Sequence, residues 1–537
     1  MKFPCWTSDV LRSRLSLALT TMAGSTETWD WTPFEETTLV SPTDEEQEIA
    51  LAAVDPRPLH VEVVRIDEAI SKLEAELSSL RLQRLQVLAE NALINDVPPE
   101  ILARVFELGV HENQNLLPVI SLVSKQWREL SLATPTLWSY IVLDHQWNYG
   151  RGAELLRKIQ THMQRAQAAR IHVDLDFRYA ESLAEARSIM QALHPHLSRC
   201  FSFRVCVPDW DWMAIVAENC GNMHDSLESI ALRIDPGDSE DAAPVPLLTG
   251  IFPRLFSVTL EQTPLACVFS KAQSPGLRNF HLIRDVRYHA NQRIRIALRE
   301  YLGALTSAPE LEDVRLQSAI FHLDGSEGVF QHAPILTLVP NLTDLAVSFL
   351  DATNVGLFLD TVSLPSLVRL AVQMDAGPEG DNLAWLANLS TAAMQGRLPS
   401  LRHLELRACT TEGPALAPLI RALHGLPQLT ALGLAAPPSG MVGARLFELL
   451  ASGPASDSWL LPNLRVLSLS GCRDVSGHEV LRVVRARLAQ PAFATPERGG
   501  AARISMVRIV PCYPLDPEVV DSLKMNCDEV RIVSPNQ

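Results

Sequence analysis

The sequence predicts an α/β chain: a small all-helical bundle followed by a long β/α solenoid. Three observations carry this. A short apolar pattern, Leu-x-x-Leu-x-Leu with Ile, Val or Phe replacements, recurs nine times between residues 227 and 469. Helix-period patterns lie between its copies, so each repeat reads as one strand plus one helix. A separate stretch, Val97 to Leu143, carries helical periodicity and breaking prolines of its own. The chain has 537 residues, 47% of them hydrophobic, enough for more than one domain or for one extended repeat array.

Residues 1–60 read as a disordered acidic N-terminal region. Residues 1–100 hold 18 acids and 8 Lys/Arg, a net −10 out of −16 for the chain, so most of the acidity is a tail property. Lys2, Arg12 and Arg14 precede Leu15-Ser16-Leu17-Ala18-Leu19 in the manner of a targeting leader. The apolar core is short, however, and Asp9 interrupts the basic region, so a disordered leader is the expectation, with Met22 an alternative start. Residues 23–62 hold ten acids against one arginine and cannot bury enough apolar surface to order themselves. Trp29, Trp31 and Phe34 lie within them.

Residues 61–92 read as one amphipathic helix or short coiled coil. Ile66, Ile70, Leu73, Leu77, Leu80, Arg84 and Val87 are spaced by four and three, an a/d heptad pattern. Three heptads are the lower limit for a coiled coil, so self-association through 66–87 and a helix folded back onto the following bundle are both open.

Residues 93–145 form the bundle. Pro98-Pro99-Glu100 is a favoured helix start, because proline is tolerated in the first turn and an acid there complements the helix dipole. Ile101, Leu102, Val105, Phe106 and Leu108 follow with helical spacing. A second run, Val119 to Val123, leads into Ser124-Lys125-Gln126-Trp127-Arg128, then Leu130 and Leu132. Pro135 breaks the chain before Leu137, Trp138 and the alternating Ile141 and Leu143. A unit this small buries little surface and must lean on a neighbour.

This stretch resembles an F-box. Pro98, Glu100, Ile101, Leu102, Phe106, Leu122, Val123, Ser124, Lys125, Trp127, Arg128 and Leu130 match the family pattern, and Thr134-Pro135-Thr136-Leu137-Trp138-Ser139 matches a version common in fungi. Val97 stands where the family usually has Leu. The resemblance covers about a tenth of the chain. It implies docking of the Skp adaptor of cullin–RING ubiquitin ligases. The implied adaptor-binding residues are Val97, Pro98, Pro99, Glu100, Ile101, Leu102, Val105, Phe106, Leu122, Val123, Lys125 and Trp127.

Residues 146–537 form the solenoid. Glu154 to Ala168 is helical in composition, and Ile171, Val173, Leu175 and Phe177 alternate as a strand. The repeat then starts at Leu227, Leu255, Leu277, Leu311, Leu342, Leu367, Leu401, Leu429 and Leu464, at intervals of 28, 22, 34, 31, 25, 34, 28 and 35 residues. Helical patterns fall between, at Ile294 to Leu305, Ala415 to Leu423, Leu446 to Leu450 and Val480 to Leu488. These units resemble leucine-rich repeats of the long, irregular kind. Cys409 and Cys472 occupy the place where that family often sets Asn or Cys to close the turn. A doubly wound α/β domain is the alternative.

The sequence lacks a Gly-x-Ser-x-Gly elbow, a Walker loop and a Gly-x-Gly-x-x-Gly turn, so no enzyme activity and no cofactor are expected. His194-Pro-His196 has no third ligand at metal spacing, and His478-Glu479 lacks the second histidine of a zinc helix. Asp209-Trp210-Asp211-Trp212 reads as a helix start with two packing aromatics. The acidic balance argues against nucleic-acid binding. No run of apolar residues is long enough to span a membrane. Nine scattered cysteines without a Cys-x-x-Cys pair fit reduced thiols in the cytoplasm or nucleus, where Asn341 and Asn388 would go unglycosylated.

The expected ligand surface is the uncovered face of the parallel sheet, where the third and fifth positions of each repeat point. These read Ser257/Thr259, Asn279/His281, Asp313/Arg315, Asp344/Ala346, Arg369/Ala371, His403/Glu405, Ala431/Gly433 and Val466/Ser468. Asp313, Arg315, Asp344, Arg369, His403 and Glu405 are the candidate substrate-binding residues, suited to a protein target. The expectation is the substrate receptor of an SCF-type ubiquitin ligase, joined through the adaptor to a cullin. A scaffold whose bundle merely caps the solenoid is the alternative.

Overall fold

The computed structural model describes residues 61–90, 93–144, 152–235, 245–284, 295–322, 336–350, 352–374, 384–409, 411–435, 442–453, 459–472, 475–489, 500–510 and 515–533. The expectations for residues 1–60 lie outside them. The chain divides into two compact units, residues 1–97 and 98–537. The first contains one 30-residue helix, α1 (Val61–Glu90), whose positions 63–88 are all exposed.

The second unit opens with three helices: α2 (Pro99–Glu112), α3 (Leu116–Val123) and α4 (Lys125–Ala133). Pro98 is the residue before α2, with Pro99 in the first turn, where a missing N–H costs nothing. Ser124 starts α4, its hydroxyl accepting from the Trp127 amide at 3.1 Å. Leu102, Phe106, Val110, Leu117, Ile120, Leu137 and Trp138 fill the core. The Phe106 and Trp127 rings lie 4.8 Å apart.

One 14-stranded sheet follows, with every pair of neighbours parallel and every strand in chain order. Its strands are β1 (Tyr140–Leu143), β2 (Ile171–Asp176), β3 (Cys200–Val207), β4 (Ser229–Ile234), β5 (Ser257–Glu261), β6 (Asn279–Ile283) and β7 (Asp313–Gln317). It continues with β8 (Asp344–Leu350), β9 (Arg369–Met374), β10 (His403–Arg407), β11 (Ala431–Ala435), β12 (Val466–Ser470), β13 (Met506–Val510) and β14 (Glu529–Ile532). A parallel sheet in strict chain order, one strand per repeat, is a leucine-rich-repeat-like solenoid, not a doubly wound domain. Helices return the chain between strands. They include α5 (Gly152–Ala166), α6 (Leu183–Leu193), α7 (Trp210–Asn219), α8 (Ala266–Phe269) and α9 (Leu298–Thr306). The remainder are α10 (Ala352–Thr361), α11 (Ala384–Met394), α12 (Leu416–His424), α13 (Ala444–Ala451), α14 (Gly477–Leu488) and α15 (Pro517–Asn526).

All nine predicted repeat starts stand two residues before β4 to β12, and their three apolar positions are buried throughout, from Leu227, Ile230 and Leu232 to Leu464, Leu467 and Leu469. Ile141 and Leu143, expected within the bundle, belong to β1, where Tyr140 lies opposite His172. Arg295–Ala297, read as helix, is a short strand paired with residues 320–322. Asp209 caps α7 as expected, accepting from the amides of Asp211 at 2.9 Å and Trp212 at 3.3 Å.

The turn after the strand recurs in one conformation. Gln262, Ser318, Phe349, Ala408 and Gly471 all have a left-handed φ, each two residues beyond the last apolar position of its repeat, and Phe349 sits where the register of β8 shifts between Ser348 and Leu350. Thiols and arginines close these loops and their neighbours. Cys409 Sγ donates to the Arg407 carbonyl at 3.2 Å. The buried Arg487 guanidinium donates to the carbonyls of Leu450, Leu460 and Leu461 at 3.3, 2.7 and 3.0 Å.

Candidate functional site

Two surfaces of the second unit stand out. The first is the open face of the sheet. Parallel strands alternate their side chains and stand about 4.8 Å apart, so equal positions of successive repeats form straight rows. One row runs Asn279, Asp313, Asp344, Arg369, His403, Ala431; the next runs His281, Arg315, Ala346, Ala371, Glu405, Gly433. Every one of these residues is exposed or half-buried, while the positions between them are buried.

Ala346 and Ala371 are direct partners on β8 and β9. Their methyls leave a gap in a row whose flanks carry Arg315 and Glu405. The gap is a cavity of about 380 Å³, lined by Asp313, Arg315, Asp344, Arg369 and Glu405 among others. Five of the six expected substrate-binding residues therefore meet in one place. His403 does not line the cavity but lies opposite Arg369, one strand along. His281 also contributes to the lining; strand alternation places it on this face, outside the six candidates.

The charges are paired within the sheet. Arg315 Nη2 lies 3.3 Å from Asp313 Oδ2, Arg369 Nε 3.6 Å from Asp344 Oδ1, and Arg407 Nη2 2.7 Å from Glu405 Oε1. His281 Nε2 lies 3.4 Å from Asp313 Oδ1. The imidazole of His281 and then Arg315 hold the Asp313 carboxyl below its ordinary range, against the opposing effect of burial. Burial, with Arg369 beside it, lowers the His403 pKa. Past the cavity the rows become small. A Cβ on Gly433 would approach Glu405 Cγ to 3.1 Å, so the glycine lets the Glu405 side chain lie across β11. Among the described residues no three His, Cys, Asp or Glu side chains gather to hold a metal ion.

The second surface is on the bundle. Ile101, Val105 and Leu108 form one exposed stripe of α2, at i, i+4 and i+7. Val119, Leu122 and Val123 form another on α3, with Leu122 76% exposed. Pro98, Pro99, Glu100 and Lys125 are exposed, and Val97 and Trp127 are half-buried. Leu102 and Phe106 correct the sequence reading. Each is only 3% exposed, because α2 is apolar on two sides and these two residues, with Val110, face the bundle core. They support the exposed stripe without forming it. Leu108 and Val119, outside the candidate set, share these stripes; helical spacing aligns them with Ile101 and Leu122, and the exposure of the stripes comes from the packing.

No protein-family model matches the chain, and no curated protein matches it. Among solved structures, the chain is similar to the crystal structure of a TLR13–ssRNA13 complex, at 13% identity and a TM-score of 0.29, over 67% of this chain and 52% of that one. The chain thus spans about half the length of that chain. The solenoid architecture rests on this chain's own strand order and register.

Proposed function

We propose that this chain is the substrate receptor of an SCF-type ubiquitin ligase, acting in the cytoplasm or nucleus. The F-box-like bundle docks a Skp-type adaptor, and through it a cullin. The open face of the solenoid holds a target protein. The chain performs no bond chemistry; it brings target lysines close to a ubiquitin-loaded enzyme, making a bimolecular step effectively intramolecular. The observation that carries this reading is the pair of exposed aliphatic stripes on the helices that bear the F-box-like motif, with Ile101 57% and Leu122 76% exposed. Contiguous apolar side chains left in water mark an interaction site more often than chance exposure. The cavity on the sheet supports a protein target: its charges are already neutralised in pairs, which suits a mixed peptide surface better than a polyanion.

One observation favours a second reading, a scaffold in which the bundle only caps the solenoid. The bundle runs directly into β1, and Trp138 packs against His162 of α5 with ring centroids 5.2 Å apart. Proximity labelling in cells, with and without proteasome inhibition, separates the two. Under the ligase reading the parent chain labels a Skp-type adaptor and a cullin, Leu122→Asp loses both, and target labelling rises on inhibition. Labelling that contains neither, and does not respond to inhibition, supports the scaffold.

A further inference from the structure

Helix α1 carries more exposed large apolar side chains than any other element among the described residues. Val63, Val64, Ile66, Ile70, Leu73, Leu77, Leu80, Leu82, Leu85, Val87 and Leu88 are between 42% and 68% exposed. The helix is about 45 Å long, and helices in proteins draw most of their stability from packing an apolar face against a partner. Val63, Ile66, Ile70, Leu73, Leu77, Leu80, Arg84 and Val87 lie on one seam at alternating spacings of three and four. Leu82 and Leu85 lie off it.

We propose that α1 pairs with α1 of a second copy of this chain as a parallel, in-register coiled coil. The seam places Val63, Ile70, Leu77 and Arg84 at the a positions, and Ile66, Leu73, Leu80 and Val87 at the d positions. Val63 and Ile70 at a, with Leu73 and Leu80 at d, are the β-branched and leucine choices that favour two parallel strands; Leu77 at a, and Ile66 and Val87 at d, leave the choice of orientation to the flanking charges. The flanking charges choose the orientation. In the parallel pair Glu76, at a g position, faces Arg81 of the second copy, at the following e position, and the contact occurs twice by symmetry. An antiparallel pair that keeps the same apolar layers sets Glu76 against Glu76 at its centre. Arg84 meets its own counterpart at a single a position, which disfavours slipped registers, and its long stem carries the charge out to water. A dimer of receptors would present two target-binding faces, and their avidity would depend on the span between them.

The test uses the full chain in solution. Light scattering at micromolar concentration is expected to give twice the 59.3 kDa chain mass. Leu73→Asp with Leu77→Asp should weaken association about 100-fold or more, because charges replace two central layers. Glu76→Arg alone and Arg81→Glu alone should each weaken it roughly tenfold, and the two together should restore it. Restoration cannot come from a misfolded helix. A parent chain of 59.3 kDa at these concentrations overturns the proposal. So does a double charge swap that fails to restore the dimer.

Discussion

Trp138 ties the bundle to the solenoid, and Trp138→Ala should loosen the bundle without unfolding the array. The indole is 6% exposed. Its Nε1 donates to the Ser131 carbonyl at 2.8 Å, His162 packs edge-on at 5.2 Å, and the Arg165 guanidinium lies 4.2 Å from the ring centroid. Truncating a buried tryptophan costs ~3–5 kcal/mol, a figure that already contains the ring contacts. The Ser131 carbonyl loses its donor, which adds about 1 kcal/mol. In a repeat array such losses stay close to where they arise, because each unit is held mainly by its neighbours. Amide hydrogen exchange is therefore the assay. A loss of ~4–6 kcal/mol should speed exchange of the protected amides in α2, α3 and α4 by about a thousandfold or more. Amides of β8 to β10 should keep the parent rates. Leu122→Asp, at an exposed position, should stay within about 0.5 kcal/mol of the parent. If Trp138→Ala leaves α2 to α4 within tenfold of parent exchange, the packing argument is wrong.

Acid should weaken the N-terminal end of the solenoid. Burial holds the pKa of His162 and of His172 down to about 4 in the folded chain, against an ordinary value of 6.5. On acidification the unfolded chain takes up these protons first, so stability present above pH 6.5 is lost as pH falls toward 4. With both rings partly solvated, about 1–2 kcal/mol each is expected, read by urea unfolding at neutral and acid pH. Replacing either histidine by glutamine should flatten that dependence. Ala371→Leu should fill the cavity from the solvent side, leaving the melting temperature within a degree or two while abolishing capture of whatever target the parent enriches. Asn354→Ala should cost ~1–3 kcal/mol in thermal unfolding, because the Asn354 Oδ1 accepts from the buried Phe321 amide at 2.8 Å and nothing would replace it.

The repeats were legible because leucine opens every one of them and fills most of their other buried positions, from Leu227 to Leu469. Legibility failed where the pattern keeps its spacing but changes its residues. β13 uses Ile504, Val507 and Ile509, all buried, and a search for leucine passes over it. β3 is hidden by a register shift beside Ile171, which breaks the alternation. α10 and α11 went unread because their sequences, ATNVGLFLDT and AWLANLSTAAM, are apolar or small on several sides and show little helical stripe. On the open face, alternation placed the charged side chains. It did not show that two alanines in register would open a cavity among them, since register between strands more than twenty residues apart is settled only by packing. On the bundle, motif residues and surface residues were conflated at Leu102 and Phe106, because a helix with two apolar sides has no sequence mark for which side faces inward.

The most direct test of the account is titration of the full chain with a purified Skp-type adaptor, followed by calorimetry. Saturable binding is expected, with one adaptor per chain. Leu122→Asp should abolish it with an unchanged melting temperature, and Leu108→Asp should weaken it likewise, since both residues lie on the exposed stripes. An adaptor that does not bind the folded parent chain, or that binds the Leu122→Asp variant equally well, contradicts it.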